Sequence, residues 1–215
     1  MAASSHQKTL SRREQNKQDK IRRIKHAARE LFLRKGYDDA SMREIALRAK
    51  VGLGTLFSYV TDKRDLLFLI YNDEQEALTA VAFDQQKKAG KFISDLIVSL
   101  NVYFRFFAKQ PEFMCFVLRE LTFYTSGRQA ERFQKGRETI IAGIEKHVRD
   151  AKRRGEIASR EQDGVIAQLL FSVYVAEVRR LLSRRHPNAA AGRKRLRRML
   201  GIVVDGMRVA RAARK

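Results

Sequence analysis

One short stretch of the chain carries residues whose types and spacing fit a specific chemistry: Thr55, Phe57, Tyr59 and, shortly after them, Lys63. Hydroxyl and ammonium groups bind phosphate oxygens, and an aromatic ring can contact a thymine methyl group. A short helix over residues 53–59 buries little of its own surface, so exposed aromatics on it need an external partner. The pattern predicts contacts with DNA. The alternative is that these side chains pack against neighbouring parts of the chain.

Two short helices joined by a tight turn are predicted to position these side chains. Ser41 and Glu44 have the S-x-x-E spacing of a capping box, in which each side chain satisfies a backbone N–H of the other residue. Small inward residues let a second helix cross closely. The inward-facing residues we expect are Ile45, Ala46, Ala49, Leu56 and Val60. The pattern is that of a DNA-reading helix-turn-helix.

This segment resembles the DNA-binding region of the TetR (tetracycline repressor) family. In that family a similar helix pair is followed by an aromatic residue, any residue, then an aromatic residue or His, and by a Lys. Here Phe57, Tyr59 and Lys63 hold these positions. The resemblance covers roughly residues 21–67. It implies that Ser41, Arg43 and Lys63 bind phosphates. Thr55, Phe57 and Tyr59 would face base edges or the backbone. The DNA-binding residues expected from it are Ser41, Arg43, Leu53, Gly54, Thr55, Phe57, Tyr59 and Lys63.

Two residues depart from the family pattern. The family usually has Gly at the turn position held here by Lys50, and usually Tyr at the position of Phe57. Either Lys50 accepts a left-handed backbone, which costs a non-Gly residue about 1 kcal/mol, or the turn is built around Gly52. Phe57 has no hydroxyl to donate to a phosphate, so its expected contact is apolar.

The charge of the chain indicates the same class of partner. Its 45 Lys and Arg outnumber 24 Asp and Glu and give a net charge of +21, which attracts a polyanion at long range. Nucleic acid is the first partner to consider and an acidic membrane surface is the second. No run of about 18 apolar residues spans a bilayer and no secretory signal is evident. We therefore expect a cytoplasmic protein with no membrane partner.

Only two prolines and few Gly-Gly or Asn-Gly steps favour an all-α fold, with a three-helix DNA-binding head and a larger helical body. We expect a flexible basic arm at residues 1–18, a helix-turn-helix domain at 19–67 and a ligand-binding and dimerisation domain at 68–215. A helix from Lys63 runs past Tyr71 and ends in a loop at residues 85–91. The arm either reaches DNA or is a solvated tail; the basic residues in and just after it are Lys8, Arg12, Arg13, Lys17, Lys20, Arg22, Arg23 and Lys25.

The third domain is rich in aromatics, since ten of the 19 in the chain fall within residues 92–133. Small-molecule pockets have such a composition, with a few polar groups added. The alternative is a solid aromatic core. The family resemblance favours a pocket, since its members commonly bind an inducer here, and an apolar or amphipathic effector is expected. The pocket residues proposed are Leu100, Tyr103, Phe104, Phe107, Phe113, Phe116, Val117, Arg119, Tyr124, Phe171 and Tyr174.

Two helices near the C-terminus, at residues 162–183 and 194 to about 210, have apolar faces too wide for one neighbour. They predict a symmetric four-helix interface between two chains, as in the family's usual dimer. The alternative is that both faces cover the chain's own core. The interface residues expected are Leu170, Val173, Val178, Leu182, Leu196, Met199, Leu200, Val203 and Met207.

These features predict a DNA-binding transcriptional regulator that acts as a ligand-responsive homodimeric repressor on an inverted-repeat operator. An architectural protein that coats DNA without sequence preference and without an effector is the alternative, but it leaves the aromatic domain unexplained. An enzyme is not expected, because His6, His26, His147 and His186 lack partners at catalytic or metal-ligand spacing. No cofactor or metal is predicted. The single cysteine, Cys115, is expected to be buried.

Overall fold

A computed structural model describes residues 11–82 and 90–208, which form nine α-helices, one short 3-10 turn and no strand. The predicted all-α class is therefore confirmed. None of the helices in these residues is long and apolar enough to cross a membrane. The helices are α1 (Arg12–Lys35), α2 (Met42–Arg48), α3 (Leu53–Phe57), α4 (Lys63–Ala82), α5 (Phe92–Lys109), α6 (Pro111–Glu120), α7 (Ala130–Arg153), α8 (Asp163–Leu182) and α9 (Ala189–Arg208).

The chain divides into two units. The first, which we call the head, comprises Met1–Ile70 together with Gly127–Gln129, and the second, the body, comprises Tyr71–Ser126 and Ala130–Lys215. Helix α4 contributes residues to both units. The sequence pattern had placed the division after Leu67.

Helix α1 begins earlier than the sequence indicated. Ser11 caps it by accepting the backbone N–H of Glu14 at 3.3 Å, so the helix starts at Arg12. Residues 12–18, assigned above to a flexible arm, are therefore helical. None of their side chains is buried, so this part of the helix lacks the apolar periodicity that would have revealed it. Residues 1–10 of the expected arm, which include Lys8, lie outside the described residues, as do residues 85–89 of the expected loop.

The head has a small apolar core. The predicted capping box of α2 is confirmed, with Ser41 Oγ accepting the Glu44 N–H at 3.2 Å and Glu44 Oε2 accepting the Ser41 N–H at 3.3 Å. Ile21, near the middle of α1, is only half-buried. The core includes Ile24, Ala28, Leu31, Phe32, Ile45, Ala46, Ala49, Leu56 and Val60.

A buried carboxylate supports the start of α4. Asp65 is 0% exposed and accepts backbone N–H groups from Thr61 at 2.9 Å, Arg128 at 3.1 Å and Gln129 at 2.8 Å. Asp62 caps the helix by accepting the Asp65 N–H at 2.7 Å. A buried charge is tolerated where hydrogen-bond donors surround it, so Asp65 is a structural residue of the head.

In the body, α9 packs against α5 and α8. A Cβ on Gly192 would lie 2.6 Å from a ring carbon of Phe104, so only glycine allows α9 to approach this closely. Between α8 and α9 the buried carboxylate of Glu177 pairs with Arg195 at 3.0 Å. Helix α9 begins at Ala189, earlier than predicted, because Asn188 accepts the Ala191 N–H at 3.0 Å. Its predicted end at residue 210 lies outside the described residues.

The expectation that Cys115 is buried is wrong, because its side chain is exposed. Helix α6 turns Phe113, Met114 and Val117 inward, and Cys115 falls on the opposite face of the same helix. Cysteine is small enough to occupy either face, so its residue type alone carries little information about burial.

Candidate DNA interface and ligand cavity

The second helix of the helix-turn-helix is shorter than predicted. Helix α3 ends at Phe57, and Tyr59 lies in the turn that follows. Ser58 Oγ donates to the carbonyl of Thr55 at 2.7 Å, and the Tyr59 N–H donates to the carbonyl of Leu56 at 3.0 Å. Such bonds satisfy the last carbonyls of the helix and stop its propagation. Tyr59 is therefore presented by a turn.

The turn between α2 and α3 is built on Lys50, the first of the two alternatives considered above. Lys50 has φ of +53°, whereas Gly52 is extended with φ of −67°. The Val51 N–H donates to the Ala46 carbonyl and the Lys50 N–H donates to the Leu47 carbonyl, both at 3.0 Å. This is the hydrogen-bond pattern of a Schellman motif, which requires a left-handed residue directly after the helix.

Several of the predicted DNA-binding residues are accessible around α3. Leu56 is fully buried and holds the helix, while the side chain of Phe57 is 40% exposed. The other predicted contact residues, before, within and after α3, are exposed or half-buried, so all of them are at least partly accessible. Ser41, Arg43 and Gly54 are exposed, and Leu53, Thr55, Tyr59 and Lys63 are half-buried.

Lys63 is held by the head itself. Its ammonium group donates to the Asp38 carbonyl at 2.7 Å and lies 4.9 Å from the centre of the Tyr37 ring. An ammonium has three N–H donors, so this arrangement orients the group and leaves donors for a phosphate. Ser41 Oγ similarly donates to Glu44 Oε2 at 3.1 Å within the capping box. Arg43, by contrast, has no ion pair within the described residues.

The body contains a cavity of about 630 Å³. Side chains from α4, α5, α7 and α8 line it, together with residues at and after the end of α6. Of the pocket residues predicted from sequence, those that line it are Tyr103, Phe107, Tyr124, Phe171 and Tyr174.

The other predicted pocket residues do not line this cavity. Four of them, Leu100, Phe104, Phe113 and Val117, are buried in the body's core, and Phe116 is half-buried. Phe104 lies against Gly192 of α9, which shows why an aromatic stripe alone does not define a pocket. Arg119 is exposed and its Nε donates to Glu120 Oε1 at 3.1 Å, so it does not supply a polar group to this cavity.

Two arginines that the sequence pattern did not single out line the cavity instead. Arg137 of α7 lies 5.8 Å from the centre of the Phe171 ring, and Arg179 is on α8. Neither has an ion pair within the described residues. Arg137 stands on the same face of α7 as Phe133 and Ile140, so a basic residue interrupting an apolar stripe was the available signal. The further polar residues of the lining are Gln75, Thr122, Thr125, Gln134, Gln168 and Ser172.

Three tyrosines, Tyr71, Tyr103 and Tyr174, line the buried part of the cavity. Burial raises the pKa of Tyr103 to about 12, although the hydrogen bond that its hydroxyl donates to Thr79 at 3.0 Å lowers it. Burial also raises the pKa of Tyr71 and Tyr174. The neighbouring tyrosines raise these pKa values further, because the charged phenolate forms would repel one another. The three hydroxyls are therefore neutral groups near neutral pH.

The apolar faces of α8 and α9 are only partly exposed on the surface of the chain. Leu170, Val178, Leu182, Leu196 and Leu200 are buried in the chain's own core, which corrects the prediction for these five residues. A single sequence cannot separate the buried half of a broad apolar stripe from its exposed half. Val173, Met199, Val203 and Met207 are half-buried. The large exposed residues are Val165 (53%), Leu169 (49%) and Ile202 (61%).

The family model of the bacterial regulatory proteins of the TetR family matches residues 24–70, which hold the whole helix-turn-helix. The head therefore carries the DNA-binding domain of the TetR family, and the resemblance noted in the sequence is confirmed. A chain with this domain is a DNA-binding transcriptional regulator.

Full-length relatives and solved structures are also similar to this chain. The HTH-type transcriptional repressor BepR of Brucella suis biovar 1 (strain 1330) is 25% identical over 155 residues, which cover 68% of this chain and 73% of BepR. FadR of Thermus thermophilus, solved with lauroyl-CoA, has a TM-score of 0.67 at 19% identity and covers 87% of this chain and 94% of its own. FadR of Bacillus subtilis, solved with stearoyl-CoA, has a TM-score of 0.68 at 16% identity and covers 83% of this chain and 96% of its own. At these identities the two structures show a shared fold.

Proposed function

We propose that the protein is a homodimeric repressor that binds an inverted-repeat operator and is released from it by an amphipathic anion. The observation that carries this proposal is the cavity of about 630 Å³ in the body, which is apolar over most of its lining but includes two arginines. A DNA-coating protein has no use for such a cavity. The protein acts as a regulator and not as an enzyme. Because its target is DNA, it acts in the cytoplasm.

The DNA contacts are assigned to the exposed side of the helix-turn-helix. Phe57 reaches the major groove with an apolar ring, and Thr55 and Tyr59 contact base edges or the backbone beside it. Arg43 binds phosphate, because it is exposed and has no ion pair in the part of the chain that the structure describes. Lys63 adds a second phosphate contact from the start of α4.

A second copy of the chain is the partner for the exposed face of α8 and α9. Val165 and Leu169 lie on one side of α8, and Ile202 lies on α9, which packs beside it. Burying apolar side chains that are about half exposed is favourable, and two antiparallel helix pairs related by a twofold axis bury them together. Two heads on one dimer match two half-sites of an inverted repeat.

The effector is assigned from the lining of the cavity. An apolar interior accommodates a hydrocarbon chain, and the guanidinium groups of Arg137 and Arg179 provide donors for a carboxylate or phosphate. Two of the solved structures of this fold carry lauroyl-CoA and stearoyl-CoA, which have this combination of an acyl chain and phosphates. We infer an acyl thioester of coenzyme A, or an anion of the same shape, as the effector.

Repression and release follow from binding equilibria. The operator-bound dimer blocks transcription by occupying the promoter. An effector that binds more tightly to a state unable to bind the operator shifts the population towards that state, and its differential affinity sets the extent of release.

Selection of bound duplexes from a random DNA pool tests the proposal without assuming a target. We expect enrichment of an inverted repeat whose half-sites are spaced for two heads, and release of the selected duplex by lauroyl-CoA. Binding without enrichment would instead support the architectural alternative. Enrichment without release would retain the regulator but remove the acyl effector.

Light scattering on the purified protein tests the dimer separately. The wild-type chain should have a dimer mass at micromolar concentration, and Leu169→Glu should have a monomer mass, because a carboxylate cannot be buried in an apolar interface without large cost. Val98→Glu is the matched control, since Val98 is similarly exposed, at 50%, but lies on α5 and outside the α8 and α9 residues proposed for the interface. A dimer that survives Leu169→Glu would place the interface elsewhere.

A further inference from the structure

One polar atom in the buried part of the cavity has no hydrogen-bond partner within the described residues, the hydroxyl of Tyr174. Its side chain is 4% exposed and lines the cavity. Tyr103 is different, because its hydroxyl donates to Thr79 Oγ1, which in turn donates to the Gln75 carbonyl at 2.8 Å. Buried hydroxyls almost always have a partner, so the unpartnered one marks a place where a partner is expected from outside the chain.

Packing prevents Tyr174 from turning to find a partner in the protein. Its ring lies 5.9 Å from that of Phe104 and 6.1 Å from that of Phe171, measured between centres. Neighbouring rings at these distances limit how far the Tyr174 side chain can rotate. The hydroxyl therefore stays at the cavity wall whether or not a ligand is present.

The surroundings of Tyr174 favour an uncharged ligand group over an anion. The hydroxyl remains a neutral phenol, since burial raises its pKa well above the usual value and Tyr71 and Tyr103 add to the effect. A neutral phenol both donates and accepts. The exposed arginines, Arg137 and Arg179, are on the solvent-accessible part of the lining, which is where a charged group avoids the cost of burial.

We propose that the cavity selects an acyl ligand that carries an uncharged oxygen, as a hydroxyl or keto group, on its apolar chain, with Tyr174 as the residue that binds this oxygen. This inference rests on the proposed acyl effector and makes it more specific. A plain saturated chain would cover the Tyr174 hydroxyl without offering a partner, and would lose affinity for that reason. An oxygenated chain restores the hydrogen bond.

The test compares three probes on the full-length protein by calorimetry: lauroyl-CoA, β-hydroxylauroyl-CoA and ω-hydroxylauroyl-CoA. We expect at least one hydroxylated probe to bind the wild-type protein about tenfold more tightly than lauroyl-CoA, which corresponds to about 1.4 kcal/mol. Tyr174→Phe should abolish this preference, both by weakening the hydroxylated probe and by strengthening lauroyl-CoA. The ratio of affinities within one variant is insensitive to a general loss of stability.

Tyr103→Phe is the matched control, because the Tyr103 hydroxyl already donates to Thr79 within the protein. In this variant the affinities for the plain and the hydroxylated probes should change by the same factor, so that their ratio stays as in the wild-type protein. Loss of the preference in Tyr103→Phe but not in Tyr174→Phe would overturn the assignment to Tyr174.

The failure of this inference differs from that of the acyl effector. If lauroyl-CoA binds and the hydroxylated probes bind equally well in the wild-type protein, a retained water satisfies Tyr174 and only this inference is overturned. If none of the three probes binds, the acyl effector and the inference are both overturned. Even if Tyr174→Phe fails to fold, the comparison of probes on the wild-type protein remains decisive.

Discussion

The head and the body place their functional side chains in opposite environments. The head presents them at its surface around a five-residue helix, with Leu56 and Val60 as the buried support. The body arranges them around a partly open cavity whose lining includes residues from Tyr71 to Arg179. A surface site depends on how firmly its support holds it, whereas a cavity depends on which side chains line it. Substitutions that disturb support and substitutions that disturb lining should therefore affect the two units differently.

The largest effect is expected from removing the support of the head with Asp65→Ala. The change leaves the backbone N–H groups of Thr61, Arg128 and Gln129 without their common acceptor. Buried hydrogen bonds to a charged group are worth about 1.5–3 kcal/mol each, and the losses are not additive, so we expect about 3 kcal/mol or more. Denaturant unfolding measures the free energy, and operator affinity should fall with it.

Asp62→Ala provides the comparison for this variant. Asp62 makes one capping bond to the Asp65 N–H, so its loss should cost only about 1 kcal/mol. Equal losses in the two variants would mean that the buried position of Asp65 gives it no special role.

The next effect is expected in the lining of the body, from Arg137→Ala. If the guanidinium binds the anionic part of the effector, affinity for lauroyl-CoA should fall about tenfold, or about 1.4 kcal/mol. The unfolding free energy should hardly change, because Arg137 has no ion pair within the described residues. Arg119→Ala is the matched control, since Arg119 is an exposed arginine that does not line the cavity. A similar loss in both variants would indicate a general effect of charge.

A smaller effect is expected from Phe57→Ala, which changes a surface contact of the head. We expect roughly fivefold weaker operator binding, about 1 kcal/mol, with unchanged stability and unchanged effector affinity. Phe123→Ala removes an aromatic ring that is even more exposed, at 80%, but belongs to the body, and it should leave operator binding as it was. Operator affinity that ignores Phe57 would mean that the ring does not face DNA.

The two units also differ in how far the sequence predicted them. The head is encoded by one contiguous stretch, so the capping box of Ser41 and Glu44 and the inward residues Leu56 and Val60 could be recognised from local spacing alone. Local spacing did not reveal the end of α3, because the side-chain bond from Ser58 to the Thr55 carbonyl competes with helix continuation.

The sequence predicted that an aromatic region of the body holds the cavity, but not which side chains line it. Phe104 and Phe107 lie on the same apolar helix, yet only Phe107 lines the cavity while Phe104 faces Gly192. The difference depends on how closely α9 approaches α5, which involves residues far apart in sequence. The same limit applies to α8, where Leu170 is buried and the adjacent Leu169 is 49% exposed. Periodicity finds an apolar face, but tertiary packing decides which part of it is covered.

The smallest effect concerns the turn of the head, where the sequence left two alternatives and the structure selects Lys50. A non-Gly residue at φ of +53° is strained by about 1 kcal/mol, and glycine removes that strain while increasing the entropy of the unfolded chain. Lys50→Gly should therefore stabilise the protein by a few tenths of a kcal/mol to about 1 kcal/mol, measured by denaturant unfolding. Lys50→Ala removes the same charge but keeps the strain, so it separates the two contributions. If both variants weaken operator binding equally and reduce its salt dependence, the Lys50 ammonium contacts phosphate. If only Lys50→Gly changes stability, the family's usual glycine at this position serves the backbone of the turn.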